Sequence, residues 1–265
     1  MKKIAALIDF TDICGKALEF AGNIAAQTNA ELVLVHVADF SDQSRAKEVE
    51  DKLYALHSEI PNGVRIEDHV SFGAFFSVIP TIITDLNIDF VVVPTHGKVG
   101  LMQNLLGSNI LKLVKTLPVP ALVVQAGSTY SSESFDKLIF PVGPHINFDV
   151  KIKQTTSFAR FFDSTVVVYM VKNDIRGLSE DLRNNFSESK KYFASCGVNY
   201  TEVREEPAEF SAGYAKHILN YARGIGECSI CIMSEVSDTN GYIGNNDKEN
   251  ILLNDMAVPV FCANA

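Results

Sequence analysis

No block of lysines and arginines occurs anywhere in the 265 residues, and the formal net charge is -9. A phosphate backbone or an anionic membrane surface is repelled on average by such a chain, which argues against nucleic acid and membrane partners. A small anionic ligand escapes that argument, because backbone N–H groups at a helix N-terminus can hold it. Nor does any apolar run approach the roughly eighteen residues of a membrane span. The opening MKKIAALIDFTDICG has a basic start, but Asp9 and Asp12 interrupt its apolar stretch and no cleavage pattern follows. It reads as a buried first strand, and a cytoplasmic location is expected. Cysteine is sparse, scattered and odd in number: Cys14, Cys196, Cys228, Cys231 and Cys262. Free thiols in a reducing compartment are expected, not a disulfide framework. Cys228 and Cys231 have the C-x-x-C spacing, but they fall in a strand-like run that points them to opposite faces, and no second ligand pair accompanies them. No metal site is expected.

What is present is ample core material: 47% hydrophobic and 21% charged residues, enough for two domains of ordinary size. Short β-branched runs alternate with amphipathic segments, the pattern of a mainly parallel sheet covered by helices, and the expected fold class is α/β. In the first half, strands are predicted at 3–9, 31–37, 64–71, 89–94 and 120–125. Continuously apolar runs such as Leu32–Val35 and Val91–Val93 suit strands buried on both faces. Ile13, Ala17, Phe20, Ala21, Ile24 and Ala25 line one helical face. Further helices are predicted at 42–59, 74–86 and 108–116.

The polar, turn-rich stretch Gly127–Ser134 reads as a linker, and after it the pattern restarts. Lys3–Ile8 is echoed by Lys137–Val142, and Glu31–Val37 by Thr165–Val171, each pair 134 positions apart. Val119–Val123 is echoed by Val258–Cys262, now 139 apart, so a few residues were inserted between. Three echoes in order indicate an internal duplication, with domains at 1–127 and 135–265.

Chemistry concentrates between Pro94 and Asn109, where a strand ends, a loop with Gly97 and Gly100 follows, and a helix starts near Gly107-Ser108. Glycines let backbone approach a ligand closely, and the free N–H groups of a helix start attract anions. Asp9 ends the first strand on the same sheet edge, where its carboxylate suits ribose hydroxyls. The bland alternatives are a tight turn for the glycine loop, a helix cap for Asp9 and a plain loop residue for His96.

This stretch is similar to the universal stress protein signature Gly-x2-Gly-x9-Gly-[Ser/Thr], with Gly97, nine residues, then Gly107-Ser108. The family's Asp-[Gly/Phe]-Ser opening resembles Asp9-Phe10-Thr11, its second strand Val35-His36-Val37, and its closing strand Pro120–Val124. The resemblance implies two tandem Rossmann-like (adenine nucleotide alpha hydrolase-like) domains, each a five-stranded parallel sheet with helices on both faces, that pair as family dimers do. It also implies an ATP site, with Mg²⁺ as counter-ion: Asp9 and Gly97 on the ribose, Gly107 and Ser108 on the phosphates, Val37 backbone on the adenine. One departure is Pro94, which stands where the signature begins with glycine and has no N–H to offer.

The second half departs further. Gly143 stands in place of Asp9, Asn246 in place of Gly107, and the loop after the strand at 229–233 carries Glu235 and Asp238, with Asp247 beyond. A degenerate copy, kept as a built-in dimerisation partner, is the expectation. Three functional classes follow: an ATP-binding stress regulator without catalysis, an interaction module that binds no nucleotide, or an ATP-using enzyme. Against the last, neither a Ser-Gly-Gly-x-Asp-Ser nor a His-x-Gly-His signature is present, and no Gly-Lys-[Ser/Thr] loop.

Overall fold

The computed structural model describes residues 1–39, 44–95, 109–145, 147–171, 179–205, 213–235 and 244–264. The chain divides into two compact units, Met1–Tyr130 and Ser131–Ala265.

In the first unit the strands are β1 (Lys3–Leu7), β2 (Glu31–Ala38), β3 (Arg65–Phe72), β4 (Phe90–Thr95) and β5 (Ala121–Gln125). They pair in parallel in the order β3-β2-β1-β4-β5. The helices are α1 (Cys14–Thr28), α2 (Ala46–Ala55), α3 (Phe75–Asp85) and α4 (Ile110–Thr116), with a 3-10 turn at Leu56–Glu59. The predicted helix over 42–59 is thus shorter, and its end tightens into 3-10 geometry. α1 packs on β1 and β4, while α3 packs on β2 and α4. Right-handed crossovers place α1 and α2 on one face and α3 and α4 on the other. The apolar face of α1 is closed into the core, with Ala17, Phe20, Ala21 and Ile24 fully buried.

The second unit repeats this plan with β6 (Lys137–Pro141), β7 (Thr165–Val171), β8 (Tyr200–Glu205), β9 (Ser229–Met233) and β10 (Val260–Ala263). Their order is β8-β7-β6-β9-β10, again parallel. The helices are α5 (Phe148–Phe162), α6 (Glu180–Ser195), α7 (Gly213–Ile225) and α8 (Asn245–Leu252). The correspondence is close: β1 and β6, and α1 and α5, share bounds displaced by 134 residues. Both helices end on a left-handed residue, Asn29 and Asp163. Even the bond from Ile8 N–H to Val35 O (2.9 Å) has its copy from Val142 N–H to Tyr169 O (2.8 Å). By β9 and β10 the displacement is 139, so the insertion falls between the end of β8 and the start of β9.

Candidate functional site

In each unit the strand order reverses beside the first strand, between β1 and β4 and between β6 and β9. Ligands of open α/β sheets bind beyond the carboxyl ends of the strands at such a switch point.

In the first unit, β1 ends at Leu7 and the chain turns sharply. Asp9 Oδ1 accepts the Thr11 backbone N–H (3.0 Å) and the Thr11 hydroxyl (2.6 Å). Between them Phe10 is held at φ 56, in the left-handed region, and its ring lies 4.6 Å from that of His36. His36 Nδ1–H donates to Ile8 O at 2.8 Å, tying the turn to β2. Asp9 therefore forms a turn through one oxygen and does not cap α1, whose N-cap is Ile13. Oδ2 accepts nothing from the described residues.

Val37 is placed by the same divergence. Successive strand residues direct their backbone groups alternately to the two sides. Val35 O bonds to Ile8 on the β1 side, while Ala38 O accepts the Gly73 N–H (2.9 Å) on the β3 side. Val37 therefore faces the β1 side, where β1 has already stopped. Its N–H and C=O are open to the switch point.

β4 ends in Thr95, fully buried, whose hydroxyl has no hydrogen-bond partner among the described residues. An orphaned buried hydroxyl is uncommon, and this one stands at the end of the switch-point strand. Sequence reasoning passed over it, although it directly follows Pro94. Pro94 lies beyond the last β1 partner of β4, Val92, so its missing N–H costs no bond to β1. Gly97, Gly107 and Ser108 lie outside the described residues. Asp9, Val37 and Thr95 are thus brought to one edge. The edge is acidic: burial, then Asp9 and Glu59, push the Cys14 thiol up to about 11 despite its place at the start of α1.

The second unit inverts that charge. Gly143 replaces Asp9, and Asn185 Nδ2–H of α6 holds the loop by bonds to Gly143 O (2.8 Å) and His145 O (3.0 Å). Behind it lies Lys151 on the inner face of α5, only 2% exposed, where the first unit has Ala17. Its ammonium donates to Pro141 O at 2.5 Å and sits 4.1 Å above the Phe140 ring and 5.2 Å from that of Phe148. Lys248 of α8 is fully buried and His145 nearly so. Burial, with help from both lysines, drives the His145 imidazole down to about 3. Burial first, and Lys248 next among the opposing charges, brings Lys151 down to about 7. Asp247 accepts the Ala215 N–H at 3.0 Å near the start of α7. Cys228 and Cys231 are buried free thiols, pushed up to about 11 and about 12 by burial, so neither is a ready thiolate. The buried lysines were missed from sequence; the one available signal was a lysine on the apolar face of α5.

Comparison with known proteins agrees with this architecture. Residues 1–125 match the model of the universal stress protein family. Universal stress protein A homolog 1 of Coxiella burnetii is 30% identical over 122 residues, 40% of this chain and 84% of that protein. Among solved structures, a universal stress protein from Archaeoglobus fulgidus superposes with a TM-score of 0.73 at 16% identity, covering 99% of this chain and 96% of its own. A functionally unknown protein from Pseudomonas aeruginosa gives 0.65 at 19% identity, covering 100% and 92%. At such identities the solved structures establish the fold alone.

Proposed function

From a chain that belongs to the universal stress protein family, we propose a cytoplasmic, non-enzymatic regulator of the stress response that binds ATP in its first unit. The carrying observation is the convergence at one switch point of Asp9 Oδ2, the unpaired backbone side of Val37 and the orphaned Thr95 hydroxyl, directly before the Gly97–Ser108 signature. Asp9 and Gly97 take the ribose, Val37 the adenine edge, and Gly107 and Ser108 the phosphates with their Mg²⁺. Nucleotide binding supplies the signal: a ligand that favours one conformation shifts the population toward it. The second unit serves as an intramolecular partner in place of a second subunit.

Mass spectrometry of small molecules released from the purified protein, followed by calorimetry with ATP, tests the reading. Wild type should bind, and Gly107→Asp should not, because it sets a side chain and a negative charge where the phosphate approaches. Binding unchanged by Gly107→Asp would sink it. Pro94 favours a second reading, an interaction module without nucleotide, since proline removes a donor from the start of the loop. No ATP binding by wild type, recovered in Pro94→Gly, would decide for that reading.

A further inference from the structure

We propose that the second unit binds a small zwitterion, an amino acid with an apolar or aromatic side chain, in a cleft beside α7 at the amino ends of β6, β7 and β8. This place lies at the other end of the strands from the switch point, so it does not depend on ATP binding by the first unit.

The two units can be compared there residue by residue. In the first, Lys3 opens β1, and its ammonium is held by Glu67 at 2.7 Å and Glu31 at 3.7 Å. In the second, Lys137 opens β6 and pairs in register with Thr165, as Lys3 does with Glu31. Thr201 stands beside Val167 as Glu67 stands beside Val33. Even the backbone bond is copied: the Thr165 N–H donates to Asp136 O at 2.7 Å, and the Glu31 N–H to Lys2 O at 2.9 Å. On this common frame the lysine has been kept, and both of its carboxylate partners have become threonines. Two new carboxylates have arrived, Asp136 in place of Lys2 and Asp163 in place of the left-handed Asn29.

The exchange leaves space as well as unmatched charge. All of these second-unit side chains but the buried Val167 are polar, and they line one cleft of about 680 Å³ with Phe162 and Tyr221 as its aromatic walls. That volume is in the range of small-molecule sites. Tyr221 is backed by the Tyr169 ring, 5.1 Å away between centroids. Lys137 donates one N–H to Ile225 O at 3.0 Å, which fixes its ammonium at the cleft and leaves two donors over. The hydroxyls of Thr165 and Thr201 and the carboxylates of Asp136 and Asp163 have no partner among the described residues. A guest carboxylate between Lys137 and the two hydroxyls takes the place that Glu67 fills in the first unit. Asp136 and Asp163 repel a bare anion, but they attract one that carries its own ammonium. An apolar body on the same molecule covers Phe162, Val167 and Tyr221. One small zwitterion thus answers both signs of charge with charge-assisted bonds.

Thermal unfolding of the full chain tests this, with L-phenylalanine at millimolar concentration against phenylpropionate, which lacks the ammonium, and phenethylamine, which lacks the carboxylate. Phenylalanine should raise the wild-type midpoint by a few degrees, as a native-state ligand does, and the other two should raise it clearly less. Thr201→Glu restores the first unit's ion pair on the lysine and should abolish the rise without loss of stability. Asp163→Asn, which still suits the left-handed helix end, should reduce the rise, while Gly107→Asp should keep it. Saturation transfer from the protein to the phenylalanine ring protons, present in wild type and absent in Thr201→Glu, gives a readout independent of stability. No rise with phenylalanine, an equal rise in Thr201→Glu, or a rise as large with phenylpropionate would overturn the proposal.

Discussion

Lys151 and Asp9 are charges of opposite sign near the first strands of their units, and each makes a testable demand. Lys151 titrates near 7 in the folded chain against an ordinary value of 10.5. The groups around it are Lys248 on α8, Cys231 on β9 and His145 on the preceding loop. Between pH 7 and 10.5 the unfolded chain binds the proton and the native one does not, so stability rises with pH across that window. Below pH 7 both states are protonated and the penalty is constant. Lys151→Met should therefore be more stable than wild type at pH 7, by about 1–4 kcal/mol. That advantage should fade as pH approaches 10.5, which urea titrations over the range would measure. A wild type as stable at pH 7 as the variant would contradict a buried uncompensated charge. Asp9→Ala should weaken ATP by about 1–3 kcal/mol, the cost of losing bonds to a charged acceptor. Calorimetry would separate that from mere loss of the turn if Asp9→Asn, which can still accept from Thr11, recovers folding but not full affinity.

At the scale of elements, α1 shows what a sequence can and cannot disclose. Its apolar stripe from Ile13 to Ala25 was readable because period and burial coincide, and the same holds for β2 and β4, whose continuous Val and Leu runs fill a two-sided core. The duplication was readable because β1 with α1 and β6 with α5 kept their spacing. Strand ends were less so: β1 stops at Leu7, two residues early, because Phe10 adopts a left-handed turn that periodicity does not encode. Thr95 and Lys151 were invisible for another reason, since an orphaned hydroxyl or a caged ammonium is a property of the surrounding elements. Gly22 is of that kind too. It lies buried within α1, where propensity alone favours alanine, yet an added Cβ would stand 2.9 Å from Pro61 Cδ. Gly22→Ala should destabilise the chain by about 1–3 kcal/mol, because the rigid proline ring cannot yield cheaply. A stabilised variant in chemical denaturation would show that the 60–61 turn moves freely.

Across the whole molecule, duplication followed by divergence has left two switch points of contrary charge, and stoichiometry is where this becomes measurable. The first unit retains Asp9 and the Gly97–Ser108 signature; the second has Gly143 and Asn246 at the corresponding places and Lys151 where Ala17 was. A nucleoside needs an acceptor for its ribose hydroxyls, and Gly143 has no side chain to offer one. The triphosphate needs N–H groups approached through glycine, and Asn246 with Asp247 at the start of α8 puts side chains and a negative charge there. On the inner side of this edge the rings of Phe140 and Phe148 lie against the buried Lys151 ammonium, and a nucleoside finds no acceptor there. Calorimetry should therefore count one ATP per chain, and that count should fall to zero in Gly107→Asp while Lys151→Met leaves it at one. Two ATP per chain would show that the second switch point still accepts a nucleotide, and a count unmoved by Gly107→Asp would put the nucleotide somewhere other than the Gly97–Ser108 signature.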